Sequence, residues 1–269
     1  MYTHFAAVYD RLMGDIPYNE FARLLQEAVS KTGHRIDVIV DIGCGTGAMF
    51  EAELALARQV IGIDPSLQML AVAKEQAQPY GRRITLLEGS AESFFTPKKA
   101  DLCLATCDVC NYILTPQRLQ RSFTHIHDMM NPGGYFLFDM HSPTKVLQGI
   151  GDNVYYDASG DTVALIETKV DQKSMIVAYE LLLFLLEKDG RYQRVQESHR
   201  QRAYELSAIL KGLENAGFTE VYIGADFHFP WERLEEESQS ILFGDRLHVR
   251  VAPSAETMQQ AMRWFFLVR

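Results

Sequence analysis

The chain has 269 residues, with 26 Lys plus Arg against 35 Asp plus Glu and a formal charge of -9. That acidic balance argues against a broad electrostatic grip on nucleic acid and points to a small molecule or a protein as partner, with self-association left open. The start, Met1-Tyr2-Thr3-His4-Phe5, lacks the basic-then-apolar order of a secretory signal, and the longest apolar stretch, Leu181 to Leu186, is too short to span a bilayer, so a soluble cytoplasmic protein without membrane contact is expected.

From Ile36 onward short apolar runs alternate with helical patterns, which predicts a parallel sheet covered by helices on both faces. The first strand, Ile36 to Val40, runs into Asp41-Ile42-Gly43-Cys44-Gly45-Thr46-Gly47 and a helix over Thr46 to Ala57. The second, Val60 to Ile63, ends at Asp64, and Ser66 is placed to cap the helix that follows as far as Gln78. Strands over Ile84 to Leu87 and Leu102 to Ala105 come next. Pro116 suits the first turn of a helix reaching Met130, and Asn131-Pro132-Gly133-Gly134 turns the chain into a fifth strand, Tyr135 to Phe138.

The texture changes after Pro143. Thr162 to Val170, Met175 to Leu186 and Tyr192 to Tyr204 are rich in β-branched and aromatic residues and are separated by hairpin turns, so an inserted antiparallel sheet is predicted over residues 147–203. The core, residues 1–146 and 204–269, resumes with a helix, Ser207 to Ala216, closed by Gly217. A strand over Thr219 to Gly224, a long polar stretch and a last strand, Arg263 to Val268, complete the chain.

Glycines on alternate positions let backbone amides approach a ligand where a strand turns sharply into a helix. An aspartate some twenty residues later, at the end of the second strand, accepts hydrogen bonds from both hydroxyls of a ribose. The pair implies a cofactor carrying adenosine. Cys103, Cys107 and Cys110 show a C-x3-C-x2-C spacing that iron-sulfur enzymes use, but Cys103 lies inside an apolar strand, and core packing is the reading adopted for these thiols. No His, Cys and carboxylate set has metal-ligand spacing, and His125 and His127 read as structural.

Three motifs in order, Asp41 to Gly47, Gly62-Ile63-Asp64-Pro65-Ser66-Leu67-Gln68-Met69-Leu70, and Asn131-Pro132-Gly133-Gly134-Tyr135, resemble those of class I S-adenosyl-L-methionine-dependent methyltransferases. Tyr9-Asp10-Arg11-Leu12-Met13, Pro17-Tyr18, Asn111-Tyr112, Phe138-Asp139-Met140-His141-Ser142 and Glu197 to Arg202 are similar to a group of bacterial members. Their layout is shared with amino-sugar and glycine-type N-methyltransferases.

The resemblance implies an α/β, Rossmann-like, mostly parallel sheet with an antiparallel last strand and a small inserted antiparallel sheet. It implies an enzyme that moves a methyl group to a small-molecule acceptor, foremost an amine, with S-adenosyl-L-homocysteine as product. It also implies a donor site in which Gly43 and Gly45 approach the methionine end and Asp64 holds the ribose. Pro65 or Met69 would lie against the adenine, and Ser90, Ala91 and Glu92 would supply its hydrogen-bond partners. Asp41, Cys44, Gly47 and Cys107 complete that set, and Tyr9 and Tyr18 either cover the cofactor or pack their segment onto the core.

Asp108, His141 and His199 are the candidate catalytic groups, since an acceptor must present a lone pair and shed its proton. Asn111, Tyr112 and Arg202 are the candidate acceptor contacts. Gly43, Gly45 and Ala48 also satisfy G-x-G-x-x-A, which leaves an NAD(P)-dependent oxidoreductase as the rival reading and a non-catalytic S-adenosylmethionine-binding protein as a third.

Overall fold

The computed structural model describes residues 16–187, 189–234 and 241–269. Five parallel strands form its centre: β1 (Val38–Ile42), β2 (Gln59–Asp64), β3 (Ile84–Glu88), β4 (Ala100–Ala105) and β5 (Met130–His141). Their order in space, β5-β4-β1-β2-β3, reverses between β1 and β4, and such a switch point opens a crevice at the carboxyl edge of the sheet.

Alternation along each strand feeds two apolar layers. Val40, Ile42, Cys103, Phe136 and Phe138 join Leu119, Phe123 and Ile126 of helix α4 (Pro116–Asp128) on one face. Ile39, Leu102, Leu104 and Leu137 join α1 (Tyr18–Thr32), α2 (Phe50–Leu56) and α3 (Leu67–Ala77) on the other. In α1 the buried residues Phe21, Leu24, Leu25 and Ala28 recur three and four apart, the spacing of a single packed stripe.

The cap signals act locally as expected. The Ser66 hydroxyl accepts from the Met69 amide at 3.2 Å, and Thr115, just before Pro116, accepts from the Arg118 amide at 3.3 Å. Helix α2 begins at Phe50 rather than Thr46, because the chain spends residues 43 to 49 on consecutive turns around the glycines. Strand β5 begins before the Asn131-Pro132-Gly133-Gly134 turn. Ala100 pairs with Met130 and Leu102 with Tyr135, so the turn is a bulge within the strand.

After α5 (Leu206–Ala216) come β10 (Glu220–Ala225) and β13 (Arg263–Val268). The last strand runs antiparallel between β5 and β10. Two strands absent from the sequence reading, β11 (Ile241–Phe243) and β12 (Leu247–Val251), extend the sheet beyond β10, and helix α6 (Ala255–Gln260) precedes β13. The polar surroundings hid them, although Leu247-His248-Val249-Arg250-Val251 alternates as a strand with one buried face does.

The second sheet has four antiparallel strands: β6 (Asn153–Ser159), β7 (Thr162–Asp171), β8 (Ile176–Leu186) and β9 (Tyr192–Arg202). Strand β6, a short edge strand whose Val154, Tyr155 and Tyr156 are exposed, was also missed. This sheet docks over the carboxyl edge of the large one. Met69 of α3 packs against the apolar cluster formed by Ala164, Leu181, Leu183 and Leu185, and the Asn111 side-chain amide donates to the Arg202 carbonyl at 2.8 Å. No helix among the described residues is long and apolar enough to cross a membrane.

Candidate active site

The carboxyl ends of β1, β2 and β4, together with β9 of the second sheet, surround a cavity of about 470 Å³. That volume is in the range that takes a small ligand. Its floor is the glycine turn. The amides of Gly43 and Cys44 both donate to the Ile63 carbonyl, at 2.7 and 3.0 Å, tying the turn to β2.

Two glycines do different work. At Gly43, φ is +76° and a Cβ would lie 2.4 Å from a Val109 methyl, so the position is closed by packing. At Gly45, φ is +54° and a Cβ would meet nothing within 4 Å, so the backbone there borders open cavity that a ligand can approach directly.

Asp64 stands at the end of β2 with both carboxylate oxygens oriented by main chain. Oδ2 accepts from the Gly45 amide at 3.0 Å and Oδ1 from the Ser66 amide at 2.8 Å. Each oxygen retains a lone pair for a hydroxyl, which suits a ribose diol. Burial raises its carboxyl above the ordinary value despite those two donors. Asp41, also on the wall, is buried and pushed up to about 7, chiefly by desolvation. Tyr18, Cys44, Pro65, Met69 and Cys107 line the same space. An adenosine-bearing group therefore fits the diol-facing carboxylate and the open edge at Gly45.

A second polar group lies beside this cavity, centred on a residue the sequence reading did not single out. Arg263 opens β13, whose antiparallel direction brings its first residue to the edge where β4 and β5 end. Its guanidinium donates to Asp139, to Asp108 at 3.1 Å and to Nε2 of His141 at 2.9 Å. Asp108 also accepts from the Gln201 side chain at 2.5 Å, and its amide donates to Asp139 at 3.0 Å. Cys107 and Asp108 both have positive φ, at +60° and +56°, and these bonds hold the strained pair in place.

Burial sets the charges of this group. Asp139 is pushed up to about 6, desolvation outweighing the attraction of Arg263. His141 is pushed down to about 4, so its ring is neutral at pH 7. Because a guanidinium only donates, the Nε2 lone pair of His141 is engaged by Arg263 and is not available as a base. His199 lies on the cavity wall, its ring meets that of Tyr112 edge-on at 6.0 Å, and burial lowers its pKa.

Several expected contacts are placed elsewhere. Asn111 is fully buried as a strut: its Oδ1 accepts from the His141 amide at 2.9 Å while its amide holds β9. Arg202 donates to the Leu114 carbonyl at 3.0 Å and stacks over the Tyr204 ring, away from the cavity. Glu92 is drawn off by Arg118 and Arg121, and Ser90 bonds Ser93 at 3.0 Å. Ala91 packs into the core with Phe94, and a Cβ at Gly47 would fall 2.3 Å from the Phe50 ring, so that glycine serves packing. Tyr9 lies outside the described residues. Cys103 and Cys110 are buried in the α4-side layer, and burial pushes their thiols up.

The family pattern described as a methyltransferase domain matches residues 39–134. A protein of Geobacillus sp. (strain WCH70) that bears the name of a methyltransferase is 30% identical over 257 residues, spanning 90% of this chain and 98% of its own length. Among solved structures, an S-adenosylmethionine-dependent methyltransferase from Clostridium acetobutylicum ATCC 824 superposes with a TM-score of 0.76 at 22% identity, covering 100% of this chain and 98% of that one. The sugar N-methyltransferase KedS8 from Streptoalloteichus sp ATCC 53650 does so with a TM-score of 0.69 at 14% identity, covering 97% and 92%. The nicotinamide-dependent alternative is thereby set aside. Kinship along nearly the full length of both chains, on a fold shared with enzymes that use this donor, places the protein among the class I S-adenosylmethionine-dependent methyltransferases.

Proposed function

We propose that the protein methylates an amine nitrogen of a small molecule and that His199 takes up the proton the amine must lose. The bound donor supplies a methyl group on a sulfonium, and the protein's part is to align the acceptor opposite the departing sulfur and to exclude water. A protonated amine has no lone pair with which to attack. His199, kept neutral by burial on the wall of the donor cavity, is the observation that carries the assignment of the base.

Two carboxylates, Asp108 and Asp139, stand at the acceptor edge with Arg263 between them and Arg200 on the cavity wall, so an amine there meets acidic as well as basic neighbours. Asp108, held by Arg263 and Gln201, acts as a positioning residue. The sugar N-methyltransferase KedS8, which shares the fold, is consistent with nitrogen as the target. Residues 1–146 and 204–269 form the donor-binding unit, and residues 147–203, which contribute His199, select the acceptor.

The test is transfer of labelled methyl from S-adenosylmethionine into fractionated cell extract and a panel of primary and secondary amines. Label in a small basic metabolite is expected; label confined to protein, RNA or hydroxyl compounds overturns the reading. His199→Ala should lower kcat while donor affinity stays within about twofold, and an unchanged kcat removes the base assignment.

A further inference from the structure

Glu53 lies on α2 behind the glycine turn, and methyl transfer as described does not use it. It shares the inward face of that helix with Phe50 and Leu54, positions normally given to apolar residues. The side chain is fully buried, and neither carboxylate oxygen meets a hydrogen-bond donor among the described residues. It faces the carboxyl of Asp41 within hydrogen-bonding reach.

Two carboxyls bond to one another only when one carries a proton, since neither ionised form has a hydrogen to give. Asp41 is also a wall residue of the donor cavity, so the pair spans from the core to the ligand space. The titratable groups facing it from other elements are Asp64 at the end of β2, the Cys44 thiol in the turn and the Cys107 thiol after β4. Among the described residues none of the charges acting on the pair is positive. Desolvation raises both carboxyls; the Asp64 charge adds to it at Asp41, where the bond to Glu53 works the other way, and the Asp41 charge adds to it at Glu53, so the doubly ionised pair is suppressed unless a cation stands beside it.

We propose that Glu53 is a positioning residue through which the donor site reads charge: the Asp41–Glu53 pair retains a proton until the cationic donor binds and then releases it, favouring the sulfonium donor over its thioether product. In that step one O–H bond of the pair breaks, the proton passes to solvent, and the ligand's positive charge replaces it. Donor and product differ by one unit of charge at sulfur. A partly protonated acidic wall therefore separates them where shape alone does not, and it limits product inhibition. The proposal rests on S-adenosylmethionine as the donor.

Calorimetric titration of the full chain with S-adenosylmethionine and with S-adenosylhomocysteine, between pH 6 and 8.5 in buffers of low and high ionisation enthalpy, counts the protons released. The donor should release up to one more proton than the product, and its Kd should fall by up to about tenfold per pH unit while the pair is protonated. The sulfonium lowers the donor's own α-ammonium pKa below that of the product, so each free ligand is titrated first and its own proton change is subtracted. Glu53→Gln preserves size and donates to Asp41, and should abolish the excess release and flatten the pH profile of donor affinity. Equal proton release for donor and product with the wild-type protein overturns the proposal without recourse to a variant, as does unchanged excess release in E53Q. Failure to bind S-adenosylmethionine at all would remove the donor assignment and this proposal with it, a result distinct from binding without proton release.

Discussion

Replacing Arg263 with Met keeps most of the aliphatic stem and removes the charge on which the polar group beside the cavity depends. The side chains of Arg263 and Asp108 are about one-fifth exposed and that of Asp139 is fully buried. Breaking a buried ion pair from one side costs about 3–5 kcal/mol. Asp139, already raised to about 6, rises further without Arg263 and takes a proton near neutrality. A carboxyl whose folded pKa exceeds its unfolded value stabilises the fold in its protonated form, and that contribution is lost as pH rises through the folded pKa. The cost of R263M is therefore largest at alkaline pH and shrinks by roughly 1 kcal/mol per unit between pH 8 and pH 6. For a chain of this size about 3 kcal/mol at pH 8 lowers Tm by roughly 6–12 °C. Circular dichroism melts of both proteins at pH 8 and pH 6 measure the two deficits. Equal deficits at the two pH values, or a deficit under about 2 °C at pH 8, would show that Asp139 does not carry the electrostatic load assigned to it.

Asp64→Ala removes both acceptors for the ribose diol and should weaken donor binding by about 30-fold or more in calorimetric titration, from two charge-assisted hydrogen bonds; a change under about threefold contradicts the assignment. Gly43→Ala and Gly45→Ala should separate packing from binding. The first meets Val109 at 2.4 Å and should lose about 2 kcal/mol or more of stability in urea melts. The second meets no protein atom and should lose donor affinity with a smaller loss of stability, and the reverse order would refute the account of the turn. Glu214 holds the turn before β12 by accepting from the Asp245 and Arg246 amides and from Lys211, contacts that lower its pKa from 4.5 to about 2. Such a depressed carboxyl stabilises the fold above pH 4.5 and loses its effect as pH falls toward 2. Glu214→Gln should accordingly flatten acid-induced destabilisation in that window, and coincident acid unfolding curves would count against it.

What was legible in the sequence is what adjacent residues decide among themselves. A missing Cβ at Gly45, the Ser66 hydroxyl three residues from the amide it caps, and Asp64 at the end of an apolar run each act over a few positions, so the glycine turn and the parallel core could be read directly. The strand pattern of β9 was equally visible, but not that Gln201 turns inward to Asp108, which it does because the edge of the large sheet lies there. Arg263 and Asp108 are 155 residues apart in the chain, and Glu53 occupies an unremarkable position on a helix until the layers close over Asp41. Composition and order determined which ionisable groups exist and where the chain must turn. Tertiary packing alone decided which of them lose water, and desolvation, being set by whatever happens to lie on top, is what separates a neutral imidazole or a proton-sharing carboxyl from an ordinary surface charge.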